Sequence, residues 1–368
     1  MAGMLEYVVW IDEEEKVRKV LLEVYMKKVC VIGHFGFGKE MLNGQTIKTK
    51  IVAAELEKQL GCEQIMKIDT HGGARVLPKV MIQMARAFRS CENIIILPAQ
   101  NGVRIFPPLC VVFRKLYQRK LHYIVIGGWL DHFLERNPRF LKALDSFTAI
   151  YVETRTMMQD LEKRGLRNLC ILPNFKDIHI LAEDELVYPT GEPYRLCTFS
   201  RVMKEKGIED AVDAVKAVNE KYGRTVYTLD IYGQIDAEQT KWFEGLKATF
   251  PGYVRYKGLV PFDKTVEILK IYYALLFPTY YSGEGFAGTL LDAMSAGVPV
   301  IASDWKYNSE VIVPNKTGIL FFPKDVTALA RALESSMSGN LNEMRSTCIY
   351  EAQKYASDTV IQVVLEHL

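Results

Sequence analysis

The sequence predicts an α/β protein built on two parallel sheets, and three observations carry that prediction. From Met26 onward, short apolar runs alternate with helix-length amphipathic segments, the pattern of a parallel sheet covered on both faces. The alternation breaks once, at Asp184–Pro193, where DELVYPTGEP is rich in turn formers and has little periodicity. At 368 residues the chain is too long for one ordinary core, so two domains are expected.

In chain order, residues 1–25 read as an extension: a short apolar piece, the acidic run Asp12–Glu15 and an amphipathic helix candidate. They are expected to be peripheral, with Met26 a natural start for the folded unit. The first domain is expected over 26–183. Its strands are Lys28–Gly33, Gln64–Asp69, Asn93–Leu97, His122–Gly127, Ala149–Val152 and Asn168–Leu172. Helices fall between them at Ile47–Leu60, Pro78–Ser90, Leu109–Arg119 and Met157–Arg164. A linker at 184–194 leads to a second domain over 195–340. There the strands are Arg195–Ser200, Tyr227–Tyr232, Val254–Lys257, Ala274–Phe277 and Val298–Ser303, with helices at Ile208–Tyr222 and Thr289–Ala296. A last helix is expected from about Asn342 to Leu368, which makes 341–368 a separate C-terminal element.

Composition sets limits. About half of the residues are hydrophobic and the net charge is +2, which fits a globular chain. No apolar run reaches eighteen residues and no basic-then-apolar leader opens the sequence, so a cytoplasmic location is expected. The seven cysteines are scattered and odd in number, which suggests free thiols in a reducing compartment. No C-x2-C pair, no histidines at i, i+4 and no D-x-D pair occur, so no metal site is expected. Basic residues are dispersed and lack a recognition motif, which argues against nucleic acid.

The most informative stretch runs from Phe277 to Phe322. The strand Ala274–Phe277 enters a loop with Glu284 at its tip, then Gly285, Phe286, Ala287 and Gly288 lead into a helix that carries Asp292. Two carboxylates eight residues apart therefore flank a glycine-bearing helix start. Backbone N–H groups and the positive helix end suit a phosphate, and carboxylates suit sugar hydroxyls. Such a constellation suits a nucleotide sugar.

This arrangement resembles the E-x7-E signature of retaining glycosyltransferases of the family-four type, the glycosyl transferases group 1. The resemblance implies the GT-B fold: two Rossmann-like domains whose parallel sheets face each other across a cleft, with a C-terminal helix crossing back to the first domain. It further implies that Glu284 contacts the donor sugar, that Asp292 holds the ribose, and that the amides of Gly285, Phe286, Ala287 and Gly288 meet the diphosphate. Asp292 is one methylene shorter than the family's glutamate. Upstream, Arg201 and Lys206-Gly207 resemble the family's G-R-x4-K-G segment, with Ser200 in place of the first glycine. There the resemblance makes Arg201 and Lys206 the cations that neutralise the leaving diphosphate. Gly258, Leu259 and Val260 are expected near the base. It covers Leu196–Lys324 well and the first half only loosely.

On the opposite side of the cleft the candidates are looser. Gly33-His-Phe-Gly36-Phe-Gly38-Lys39-Glu40 nearly spells a phosphate loop, but Glu40 stands where such a loop needs Ser or Thr. The glycine order also fails the dinucleotide fingerprint. By resemblance Gly36 and Gly38 approach the donor, with Asn43, Gln45 and Thr46 toward the acceptor; a plain strand-to-helix turn is the other reading. Relatives carry a histidine after a first-domain strand. The comparable turn here, Ile124–Trp129, has none before His132. Gly127 and Gly128 would admit a ligand's approach, and Trp129 reads either as a platform for a sugar face or as core. His34, His71 and His132 are further candidates for the cleft. Retaining enzymes of this type use a leaving-phosphate oxygen to accept the acceptor's proton, so a missing histidine does not exclude the family.

The expected reaction is transfer of a hexose from a nucleotide-diphosphate sugar, a UDP-sugar foremost, to a glycan or lipid-linked acceptor, with no bound cofactor. A nucleotide-sugar epimerase of the same fold, a non-catalytic nucleotide-sugar-binding subunit and, remotely, a P-loop-like NTPase are the alternatives. Between Met26 and Ile150 there are nineteen Lys and Arg against nine Asp and Glu, a balance of +10, so the remainder carries −8. A basic first domain fits an anionic acceptor or peripheral contact with an anionic membrane, and Val111–Lys120 is either an interfacial or an ordinary surface helix. Phrases such as Asn43–Lys48 resemble those of bacterial surface-polysaccharide enzymes.

Overall fold

The computed structural model describes residues 26–39, 44–177 and 179–368. The extension 1–25, together with Glu40 and Asn43, lies outside the described residues. Among the described residues, twelve strands form two six-stranded sheets, and every pairing is parallel. The first holds β1 (Lys27–Gly33), β2 (Ile65–Asp69), β3 (Cys91–Leu97), β4 (Lys120–Ile124), β5 (Ala149–Val152) and β6 (Leu169–Ile171), in the order β2-β1-β3-β4-β5-β6. The second holds β7 (Tyr194–Phe199), β8 (Tyr227–Tyr232), β9 (Val254–Gly258), β10 (Ala274–Phe277), β11 (Val300–Ser303) and β12 (Gly318–Phe321), in the order β12-β11-β10-β7-β8-β9. This is the GT-B arrangement.

Each sheet is buried on both faces, which is why its strands are continuous apolar runs. Along β1 and β3, Cys30, Ile32, Ile94 and Ile96 enter one core. Their neighbours Val29, Val31, Ile95 and Leu97 enter another on the opposite face. The second sheet divides likewise, with Leu196, Leu229 and Leu276 on one face and Cys197, Leu275 and Phe277 on the other.

The expected single C-terminal helix is instead three short ones, Arg345–Ala352, Ser357–Val360 and Gln362–Leu365, with a 3-10 turn at Gln353–Tyr355. The break has a packing reason. Cys348, Ile349 and Ala352 fill the second half's core, whereas Val360, Ile361 and Val364 fill the first half's. A straight helix cannot serve both cores, and extended backbone at Ala356 makes the bend. The chain thus crosses back to the first sheet, where Lys120 Nζ donates to the Leu368 carbonyl at 2.9 Å. Among the described residues no helix is long and apolar enough to cross a membrane.

Candidate functional site

Residues far apart in sequence meet because β7 and β10 are neighbours, with Leu196 opposite Ala274 and Cys197 opposite Leu275. Strand order reverses there, and open parallel sheets bind ligands outside the carboxyl ends of strands at such a point. The loop after β7 carries Arg201 and Lys206, and the loop after β10 carries Glu284. Gly207 lets them touch: its φ is 68°, and a Cβ would strike the Pro278 carbonyl. A cavity of about 600 Å³ opens at this point, between the two halves. Arg201, Leu259, Val260, Glu284, Gly285–Gly288 and Asp292 line it from the second half.

Glu284 is buried, and its carboxylate is fully engaged. Lys206 Nζ donates to Oε1 at 2.9 Å and Oε2 at 2.6 Å, and Thr279 Oγ1 donates to Oε2 at 2.8 Å. The Lys206 and Glu284 side chains are 11% and 8% exposed, and the ammonium also stands 5.4 Å from the ring centres of Phe277 and Tyr281. Arg201 is half exposed and reaches Asp236 Oδ2 at 3.3 Å. Asp292 pairs with Lys176, whose Nζ lies 2.7 and 2.6 Å from its two oxygens. Burial raises the Asp292 carboxyl, opposed by that ammonium.

The first half reaches across the cleft to hold the glycine-bearing loop. Glu153, at the end of β5, accepts the Phe286 N–H at 3.0 Å, and Asn174, after β6, donates to the Phe286 carbonyl at 2.9 Å. The Phe286 amide, expected to face a phosphate, is therefore spent on Glu153. The helix itself begins at Gly288, after Ala287. There the Gly288 and Thr289 N–H groups have no intrahelical acceptor, the Leu290 N–H being held by the Ala287 carbonyl at 3.0 Å, and the buried Thr289 hydroxyl has no partner. Lys48 completes this wall: it is buried, donates to Asn174 Oδ1 at 3.0 Å, and lies 4.2 Å above the Phe175 ring. Burial lowers its pKa to about 8 against the pull of Glu153. Burial raises the Glu153 carboxyl, opposed by Lys48 and by the N–H groups of Phe286 and Gly127.

The residues expected on the acceptor side are placed differently. Gly36 and Gly38, at φ 61° and 77°, form the turn after β1, and neither lines the cavity. Asp69 ties that turn by accepting the Phe35 and Phe37 N–H groups. Gln45 Nε2 donates to the Leu97 carbonyl at 3.4 Å, and the buried Thr46 hydroxyl contacts His34 Nδ1 at 2.7 Å. His34 Nε2 in turn meets His71 Nδ1 at 3.0 Å. Gly128 packs against the Glu284 carbonyl and the Tyr307 ring. The Gly127-Gly128 pair thus admits the facing protein loop. Trp129 belongs to the first core: its Nε1 donates to the Ile126 carbonyl at 2.7 Å and its ring meets Phe133 edge-on. His132 is exposed and pairs with Glu135 at 3.3 Å. Gly258, at φ 78°, ends β9 just before the lining residues Leu259 and Val260.

Lys48, Glu153, Asn174 and Lys176 were not foreseen. Three of them follow β5 and β6 directly, and a polar residue at the carboxyl end of a parallel strand is a signal that could have found them. Lys48 sits within a helix and offers none.

Comparison with known proteins agrees with this geometry. Residues 187–355 match the family model for glycosyl transferases group 1. Among curated proteins the chain is 28% identical over 202 residues to the UDP-N-acetylglucosamine–peptide N-acetylglucosaminyltransferase GtfA subunit of Streptococcus gordonii, covering 54% of this chain and 37% of that one. It is 31% identical over 159 residues to the lipopolysaccharide core biosynthesis mannosyltransferase LpcC of Rhizobium leguminosarum bv. viciae, covering 41% and 44%. The chain thus spans less than half the length of either relative. Among solved structures it superposes on sucrose-phosphate synthase from Thermosynechococcus elongatus with a TM-score of 0.71 at 15% identity, covering 92% and 98% of the two chains. It superposes on Anabaena HepE in complex with UDP-glucose with a TM-score of 0.68 at 14% identity, with the same coverage. Likeness at such identities speaks for the fold alone, and the match over 187–355 is confined to the second half of the chain. The chain has the GT-B fold, and its residues 187–355 are similar to the glycosyl transferases group 1.

Proposed function

We propose that the protein is a retaining, metal-independent glycosyltransferase that moves a hexose from a UDP-sugar to a glycan or lipid-linked acceptor. One observation carries the reading: Arg201, Glu284, the helix start at Gly288 and Asp292 converge on a single cavity, with Lys206 held behind it on Glu284. In this reading Glu284 orients the donor sugar, Asp292 faces the ribose, and the helix start receives the diphosphate. Arg201 and Lys206 balance the charge that develops as the bond from the sugar's anomeric carbon to the phosphate oxygen breaks. The acceptor oxygen bonds that carbon on the same face and gives its proton to a leaving-phosphate oxygen. Lys206 and Glu284 neutralise one another, and the donor supplies each with a partner of its own. A relative named for UDP-N-acetylglucosamine and a fold neighbour holding UDP-glucose support uridine as the base.

The test is a thermal-shift panel of nucleoside diphosphates and their sugars on the wild type and Arg201→Ala. A ligand at 100 times its dissociation constant stabilises by about 2.7 kcal/mol. Stabilisation by the uridine compounds that is lost in Arg201→Ala supports the reading. No shift with any nucleotide sinks it.

A membrane-borne acceptor is the finer part of the proposal. Only Glu92 is acidic between Thr70 and Leu130. The adjacent helices Leu77–Ser90 and Phe106–Tyr117 expose Ile82, Val112 and Leu116 beside the exposed Lys79, Arg86 and Lys115. Apolar side chains within an acid-free basic face suit an anionic leaflet. Phe113, stacked on Phe88, is part of the core and takes no share. Co-sedimentation with anionic but not neutral vesicles, weakened in Leu116→Ser, is the expected result; indifference to anionic vesicles at low salt refutes it.

A further inference from the structure

Lys176 comes from the half of the molecule opposite the recognised motif, yet it lies at the motif's centre. The segment after β6 carries it to Asp292, where its ammonium lies within 2.7 Å of both carboxylate oxygens. The same side chain runs over the start of the helix Gly288–Ser295: a Cβ on Gly288 would come 2.8 Å from Lys176 Cε and 3.3 Å from Nζ. A Cβ at that position would oblige the end of the Lys176 side chain to shift. The ammonium therefore stands beside the first helical turn, where the Gly288 and Thr289 N–H groups lack intrahelical acceptors and the buried Thr289 hydroxyl has no partner.

One group expected to receive the diphosphate is already committed: the Phe286 N–H holds Glu153. The helix start, Thr289 and Lys176 are what the cavity offers an anion at that end.

We propose that Lys176 is a further donor-binding residue, a cation from the first half that meets the diphosphate of a nucleoside diphosphate at the start of the helix Gly288–Ser295. The same ammonium neutralises Asp292. An ammonium has three N–H donors and a carboxylate has about four acceptor sites. A phosphate oxygen at the helix start would share the Lys176 ammonium with Asp292, while Asp292 retains acceptor capacity for ribose hydroxyls. Because Lys176 and the helix belong to opposite halves, a bound diphosphate draws them together, and grip on the donor and closure of the cleft become one event. This inference rests on the donor reading of the same cavity.

The experiment compares UDP with uridine, which shares the base and ribose but has no phosphate, by calorimetry on the wild type and Lys176→Met. A direct charge-assisted contact predicts a loss of about 10- to 100-fold in UDP affinity, with uridine affinity nearly unchanged. Equal losses for UDP and uridine overturn the proposal, because Lys176 would then act only by orienting Asp292. Unchanged UDP affinity overturns it as well. Should Lys176→Met fail to fold because Asp292 loses its partner, Lys176→Met/Asp292→Asn is compared with Asp292→Asn, which removes the uncompensated charge. The same expectations then apply. Failure of the donor reading looks different: the wild type itself binds neither UDP nor GDP nor ADP.

Discussion

Lys206 and Glu284 form the pair on which the site's electrostatics turn, and a double-mutant cycle tests it directly. Lys206→Met keeps the aliphatic bulk and removes the ammonium. It leaves the Glu284 carboxylate buried, with only the Thr279 hydroxyl remaining of its three hydrogen bonds. Both side chains are about nine-tenths buried, so solvent cannot repair the loss. Breaking a buried pair from one side costs about 3–5 kcal/mol. Glu284→Gln, the converse change, strands the ammonium at comparable cost. The double variant leaves no uncompensated charge and is expected to recover most of the loss. Urea unfolding followed by tryptophan fluorescence measures each corner of the cycle, with Trp242 and Trp305 as reporters in the same half. Single losses below about 1 kcal/mol that simply add in the double variant would refute the reasoning. Activity is expected to separate from stability: on the proposed reading the double variant folds but does not transfer sugar, because Glu284 lines the cavity and Lys206 holds it there.

Gly128→Ala is expected to abolish cleft closure, since the new methyl would clash with the Glu284 carbonyl and come 2.6 Å from the Tyr307 ring; the donor KM should rise well before the melting temperature falls. Asn219→Leu removes three hydrogen bonds, from the Val226 and Tyr227 N–H groups and to the Tyr227 carbonyl, so a loss of about 2–4 kcal/mol in urea unfolding is expected. His122 is buried between Tyr151 and Asn93. Burial, chiefly, holds its pKa down at about 3, against about 6.5 in an unfolded chain. The folded state keeps it neutral while the unfolded state gains the proton, so its contribution is complete above pH 6.5 and is lost as pH falls toward 3. By pH 5 the loss is about 2 kcal/mol, and denaturation midpoints for His122→Asn should lack that component.

Periodicity made much of the fold legible. The expected strands match the observed ones to within three residues at either end, because strands buried on both faces must be short apolar runs between helices. The last element was misread for a reason outside its own sequence. Its helical propensity is real, but two cores on opposite sides of the molecule compete for its apolar residues, and the backbone bends at Ala356 to serve both. Gly127 and Gly128 were expected to let the backbone approach a ligand, and at Gly128 the loop of Glu284 is what packs close.

Local sequence by itself determined the strand–loop–helix units, the glycines that let loops turn or touch, and the acids and cations of the second half. These are short-range properties: a helix start, a left-handed glycine and an eight-residue spacing need no partner from elsewhere. Which charges neutralise which was decided only by tertiary structure. Lys176 reaches Asp292 across 116 positions, and Lys206 reaches Glu284 across 78. Glu153 reaches Phe286 across 133. An ion pair depends on distance in space and on exclusion of water, and both arise only when β7 lies beside β10 and the two sheets close on a common cleft.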